Sequence, residues 1–188
     1  LLAQGADPKK KNNCGQYPIY SALFTPVITD DTYRKRKVEF FNILKSAAPN
    51  IVAEKDESGE TVANLAVMHG YESIIADLIL HYRSSFLSPD NFMKYPIHYA
   101  VINNQLGAIS LMIKQEGFAQ LANSDGMVAL HYAARSKNPA VLNVCLSVYD
   151  DIDIRDLMGK TPLLYAAEAG NLPALQTLVT HKADFHAI

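Results

Sequence analysis

The sequence predicts an all-α solenoid of short helix–turn–helix units stacked side by side. Three observations predict it. A short apolar, Ala-rich pattern opens at Thr61, Tyr95, Val128 and Thr161, at spacings of 34, 33 and 33 residues. A fainter copy opens at Tyr17, 44 residues before Thr61. A fixed period in this range is the mark of stacked supersecondary units. Each copy is also followed, after a Gly or Asn break, by a second apolar stretch. In one of these, Ile74, Ile75, Leu78 and Ile79 form a stripe on one helical face. Finally, stretches of about 8–10 residues are marginal as isolated helices, so neighbours must supply the missing core.

The totals agree with a packed chain. Of 188 residues 49% are apolar, and the formal net charge is −2. That is enough to bury a core in one compact domain. The longest apolar run, around residues 73–80, is far short of the roughly 20 residues that span a bilayer, so no membrane span is expected. The two cysteines, Cys14 and Cys145, form neither a disulfide framework nor a C-x-x-C pair. They point to a reduced, intracellular setting, cytoplasmic or nuclear, or a host cell if the parent is a delivered bacterial effector. Both ends of the sequence fall inside the repeat, so it reads as a piece of a longer protein. Charge is uneven. Lys9, Lys10, Lys11, Arg34, Lys35, Arg36 and Lys37 face only Asp7, Asp30 and Asp31 in the first 37 residues, a surplus of +4 against −6 in the remainder.

Taken in order, residues 1–14 read as the end of a preceding unit, with Gly5 suited to the left-handed position past a last helical turn. Residues 15–56 form a degenerate unit. Tyr17-Pro18 opens its first helix, with Pro tolerated where the N–H has no partner anyway. The helix should end near residues 24–26, because Pro26 disfavours helix before it. A second helix follows over roughly 32–46, with Thr29, Asp30 and Asp31 as cap candidates. The 11 surplus residues of this unit either extend that helix or lengthen the loop. Units at 57–90, 91–123, 124–156 and 157–188 follow. Their helix pairs are expected at 62–69 and 72–82, 96–103 and 106–114, 129–136 and 139–148, and 162–169 and 172–180. Asn138 and Asn171 stand as N-caps of two second helices.

The residues that carry these units resemble ankyrin repeats. That family's unit opens with an Asp-x-x-Gly-x turn, continues Thr-Pro-Leu-His-x-Ala and closes its first helix with Gly. Asp156, Gly159, Thr161-Pro162-Leu163 and Gly170 follow the pattern, with Leu164 in place of His. Leu130-His131-Tyr132-Ala133-Ala134 with Gly126 follows it, with Val128-Ala129 for Thr-Pro and Lys137 where Gly is usual. Pro96-Ile97-His98 follows it, with Met93 for the turn Gly and Asn104 for the closing Gly. Asp56, Gly59, Thr61 and Gly70 follow it, with Asn64 for His. Gly5-Ala6-Asp7 and Lys182-Ala183-Asp184 resemble the Gly-Ala-Asp after the family's second helix. The resemblance implies an L-shaped stack whose turns project as β-hairpin-like fingers. It also implies a protein-interaction module, such as a scaffold, with no cofactor or catalysis of its own. The partner would lie on the concave face of finger tips and first helices.

On that face the candidate partner-binding residues are Glu57, Ser58, Glu60, Phe92, Met93, Lys94, Asp125, Met127, Arg135, Leu157, Met158 and Lys160. Phe92, Met93, Met127, Leu157 and Met158 are apolar on turns that should be polar. They either line an exposed patch, which marks a binding surface, or fold inward against the next finger. Tyr99, Tyr132 and Tyr165 recur at one position and read as a packing ladder whose hydroxyls reach backbone or water. His98 and His131 are equivalent in adjacent units, about 8–10 Å apart, which does not suit a shared Zn²⁺. They read as structural histidines bonded to turn backbone, and no metal is expected. The overall acidic balance argues against nucleic acid as the main partner, although the basic N-terminal quarter leaves contact with nucleic acid or acidic lipid as one alternative. There is no phosphate loop, Gly-x-Ser-x-Gly elbow or Cys/His pair of catalytic type. The remaining alternative is that the segment recruits substrate for a larger enzyme or a host-directed bacterial effector.

Overall fold

The computed structural model describes residues 5–24 and 31–185. The expected helix tail at 1–4, the cap candidates Thr29 and Asp30, and His186 lie outside them. Among the described residues there are ten α-helices and no strand. They are α1 (Pro18–Leu23), α2 (Asp31–Ala47), α3 (Val62–Met68), α4 (Glu72–His81), α5 (Pro96–Ile102), α6 (Leu106–Met112), α7 (Ala129–Arg135), α8 (Pro139–Leu146), α9 (Pro162–Glu168) and α10 (Leu172–Thr180).

The helices stand in two rows. In the inner row α1, α3, α5, α7 and α9 each pack on the next. In the outer row α4 packs on α6, and α6 on α8. The inner helices are short because their starts and stops are written locally. Pro18, Pro96 and Pro162 open three of them, at the position where a missing N–H is harmless. Thr161 Oγ1 accepts the Leu164 N–H at 3.4 Å. Asn138 and Asn171 cap α8 and α10 as expected, accepting the Ala140 and Ala174 N–H groups at 3.1 and 3.3 Å. The fourth pair departs from the second, third and fifth. Where Lys137 replaces the usual Gly, α7 ends with Ser136 in extended conformation, φ −67° and ψ 132°.

Most of the 11-residue surplus lies in a longer helix. α2 has 17 residues, against 7–10 in the other outer helices. Arg34 of α2 donates to the His69 and Gly70 carbonyls at 3.2 and 2.8 Å, and Lys45 pairs with Asp77 of α4 at 2.6 Å. The core is one continuous band of buried side chains between the two rows, from Ile19 to Ala183. Phe86 and Phe118, buried below successive pairs, stack at 5.7 Å between ring centroids. Burying one Leu or Phe of this kind stabilises the fold by roughly 1.5–3 kcal/mol. No helix among the described residues is long and apolar enough to cross a membrane.

Candidate functional site

Five tight turns project beyond the inner row, each closed by a backbone bond between its first and fifth residues. The bonds run from Asn12, Asp56, Asp90, Asn123 and Asp156 N–H to the carbonyls of Gln16, Glu60, Lys94, Met127 and Lys160, at 2.9–3.1 Å. In every turn the Oδ1 of that first residue accepts two further backbone N–H groups, two and four positions on, at 2.8–3.0 Å. A short side chain that satisfies its own turn is why Asp or Asn stands there.

The three tyrosines complete these turns. Tyr99 donates to Asp90 Oδ2, Tyr165 to Asp156 Oδ2 at 2.6 Å, and the Tyr132 hydroxyl accepts from Asn123 Nδ2 at 2.9 Å. The expected ladder is present, but its hydroxyls meet turn side chains rather than backbone or water. A constant separation of nine residues between turn Asp/Asn and Tyr was the available signal. The second unit has Leu65 at this position, and there Gln16 Nε2 takes Asp56 Oδ2 at 3.1 Å. Burial pushes the Asp156 carboxyl upward, but the bonds from Tyr165, Lys160 N–H and Met158 N–H outweigh it and hold it below the usual range.

His98 and His131 are structural, as their spacing implies. Nδ1 of each accepts the N–H that precedes its helix, from Tyr95 at 3.0 Å and from Val128 at 3.1 Å. This leaves the proton on Nε2, which faces the Leu121 carbonyl at 2.9 Å in one case and the Ile154 and Lys160 carbonyls at 3.1 and 3.2 Å in the other. Burial pushes His98 down to about 4 and also lowers His131, against the opposing pull of those carbonyls. Asn64 does half of the same job. Its Oδ1 accepts the Thr61 N–H at 3.0 Å, but its buried Nδ2 has no partner. Among the described residues no cluster of His, Cys, Asp and Glu could hold a metal ion.

The expected patch is present only in part. Phe92 is 68% exposed, and Leu157 and Met158 are each 78% exposed, with Met93 also open. Met127 is 6% exposed and does not belong to the surface row. The fifth turn residue leads directly into the helix and is drawn inward; Glu60, Lys94 and Lys160 at the same place are half-buried. The fourth finger therefore shows polar Ser124 and Asp125 at its tip, between the apolar tips of the third and fifth fingers. Glu57 and Ser58 are exposed on the second finger. Glu60 is pushed up from the ordinary carboxyl range by burial and by the nearby Asp56 and Asp90. Lys160 is held by Glu168 at 2.5 Å, while exposed Arg135 lies over the Tyr165 ring. The basic N-terminal runs are partly committed to the fold: Arg34 clasps α3, and Lys37 donates to the Ser21 and Phe24 carbonyls.

The profile of the family described as Ankyrin repeats (3 copies) matches residues 63–156 and, in a second overlapping placement, 97–188. The chain belongs to the ankyrin-repeat family. Ankyrin repeats are in general protein-interaction modules and non-catalytic. The chain is 26% identical over 186 residues to Ankyrin repeat protein nuc-2 of Neurospora crassa, covering 97% of this chain and 16% of that protein. It is 30% identical over 195 positions to Inversin of Mus musculus, at 97% and 17% coverage. It is 32% identical over 144 residues to Tyrosine-protein kinase Shark of Drosophila melanogaster, at 76% and 15%. The chain thus spans about a sixth of the length of these relatives. In ankyrin terms, Met93 and Asn104 stand where glycine is usual, and both adopt the left-handed conformation glycine would supply, φ +57° and +54°.

Proposed function

We propose that the chain is a docking module that holds one partner protein on the face made by its fingers and inner helices. The observation that carries this reading is the exposure of Phe92, Met93, Leu157 and Met158 at the tips of the third and fifth fingers. Exposed apolar side chains grouped on projecting turns cost solubility and have no role in the core, whereas at an interface they are buried again. Glu57, Ser58, Glu60, Lys94, Asp125, Arg135 and Lys160 form the polar surround, and Met127 supports the fourth finger from beneath. The residues act as one repeat domain, with the four units of 57–188 presenting the face.

The test is capture with the 188-residue chain and with the double variant Phe92→Glu/Met158→Glu, both checked for unchanged circular dichroism. A partner retained by the parent and lost by the variant is the expected result. Equal retention by both would place the interface elsewhere. A second reading has one observation in its favour. The similarity to Tyrosine-protein kinase Shark covers only 15% of that protein, which fits a recruiting arm attached to a catalytic region. Sequencing the parent gene beyond both ends decides this, since a catalytic domain in the same chain is required.

A further inference from the structure

Neighbouring fingers are tied by one backbone bond, and one of these ties is missing. Glu57 N–H reaches the Cys14 carbonyl at 3.4 Å, Asn91 N–H the Ser58 carbonyl at 3.1 Å, and Leu157 N–H the Asp125 carbonyl at 2.8 Å. The equivalent bond from Ser124 N–H to the Phe92 carbonyl is absent from the described residues. That joint differs from the others in one side chain. In the three tied joints the accepting residue is followed by Gly15, Gly59 or Gly126. A Cβ there would lie 3.2, 2.7 or 2.8 Å from the donating nitrogen, so it would crowd the first tie and force the other two to shift. The third finger carries Met93 at that place. By analogy with those joints, a Cβ at this place crowds the Ser124 amide, in keeping with the missing tie to Phe92.

A groove of about 540 Å³ opens between the third and fourth fingers, walled by Phe92, Met93, Met127 and Tyr132, with Lys94 and Arg135 at its edge. Along the inner helices it meets a second hollow beside Ile102, Arg135 and Lys137. Asp125 is the acid that lines this groove, and none of Lys94, Arg135 and Lys137 is in an ion pair among the described residues. Asp90 is buried with its oxygens occupied by Tyr99 and two turn amides. On the fifth finger the cation at the turn position of Lys94, Lys160, is already neutralised by Glu168.

We infer that this opened joint binds an extended acidic peptide of the partner protein. An apolar side chain enters between Phe92, Met127 and Tyr132, carboxylates meet Lys94 and Arg135, and the peptide backbone takes the pairing left open at Phe92 and Ser124. The inference rests on the docking reading above and names the chemistry of what docks. Net positive charge beside apolar walls favours an acidic, apolar segment over a basic one.

The test is selection of phage-displayed random dodecapeptides on the 188-residue chain, followed by affinity measurement with four variants. Enriched peptides should carry Asp or Glu within two positions of Leu, Met or Phe. Met93→Asn tolerates the left-handed backbone and keeps a Cβ, so it should keep the fast amide exchange at Ser124 and lose less affinity than Met93→Gly. Met93→Gly should slow amide exchange at Ser124 and weaken binding at least tenfold, as should Arg135→Glu. Leu80→Glu, exposed on α4 in the outer row and outside the groove, should leave affinity unchanged. Enrichment of Lys- and Arg-rich peptides, or equal affinity for Met93→Gly, overturns the inference. So does a dimer of the chain that Met93→Gly dissolves while no peptide is enriched. Each of these results leaves the capture experiment with Phe92→Glu/Met158→Glu to decide the broader reading.

Discussion

Lowering the pH from 7.5 to 5 should destabilise the stack through His98. The ring is fully buried and accepts a backbone N–H through Nδ1, so the folded protein holds it neutral down to about 4. In the unfolded chain it protonates near 6.5. The folded-state value is the lower one, so the unfolded state binds more protons in between. The stability is therefore full above about 6.5 and is lost as pH falls from 6.5 towards 4. At pH 5 the unfolded imidazole is almost wholly protonated and the folded one about a tenth so, which gives a loss of about 2 kcal/mol. His131 is shifted in the same direction and adds to it. Urea unfolding at a series of pH values reads the loss directly, and His98→Asn isolates it, since Asn64 fills the equivalent position in the second unit. The variant lowers stability at every pH, so the slopes are compared. Between pH 7.5 and 5 the parent should lose about 2 kcal/mol more than His98→Asn does. Equal slopes would refute the assignment of the Nε2–H tautomer and of the buried neutral ring.

Further outcomes follow from the same contacts. Asn64→His should raise the urea midpoint, worth about 1 kcal/mol, because Nε2–H can reach a turn carbonyl where Asn64 Nδ2 has no partner. Gly126→Ala should cost about 2–3 kcal/mol in the same assay: about 1–2 for a left-handed backbone at φ +78° and about 1 for the lost tie to Leu157. Gly159→Ala, at φ +77° with nothing within 4 Å of the new methyl, should cost the backbone part alone. Ellman's reagent should titrate one thiol in the native protein, exposed Cys14, and two in urea. Burial hides Cys145 and pushes its thiol up to about 12.

Much of the architecture is legible in the residues because each helix pair is encoded within its own period. Proline at the first turn, Asn138 and Asn171 at caps and glycine at helix ends are local instructions, and they place the helices to within a few residues. What escapes is the part decided between periods. Met127 carries no local mark of burial; its fate depends on where the fifth turn residue points relative to the next helix. The fate of the 11 surplus residues was open because both a loop and a longer α2 suit an amphipathic, charged segment. Met93 reads as a lapse from the glycine consensus, while its effect falls on Ser124, 31 residues further on. The link from Asp156 to Tyr165 and its counterparts was visible as a constant interval, but only hydrogen-bond geometry gives that interval a meaning.

Gln105 reaches the Met68 carbonyl, Asn171 reaches those of Ala134 and Ser136, and no side-chain hydrogen bond described above joins residues more than about 40 apart in sequence. The molecule is therefore a serial device, in which a disturbance at one end reaches the other only by passing through every intervening pair. Loss of α9 and α10 would strip one layer and leave α3–α6 in their own surroundings. Damage should consequently spread as fraying from an end, layer by layer, in place of a single collapse.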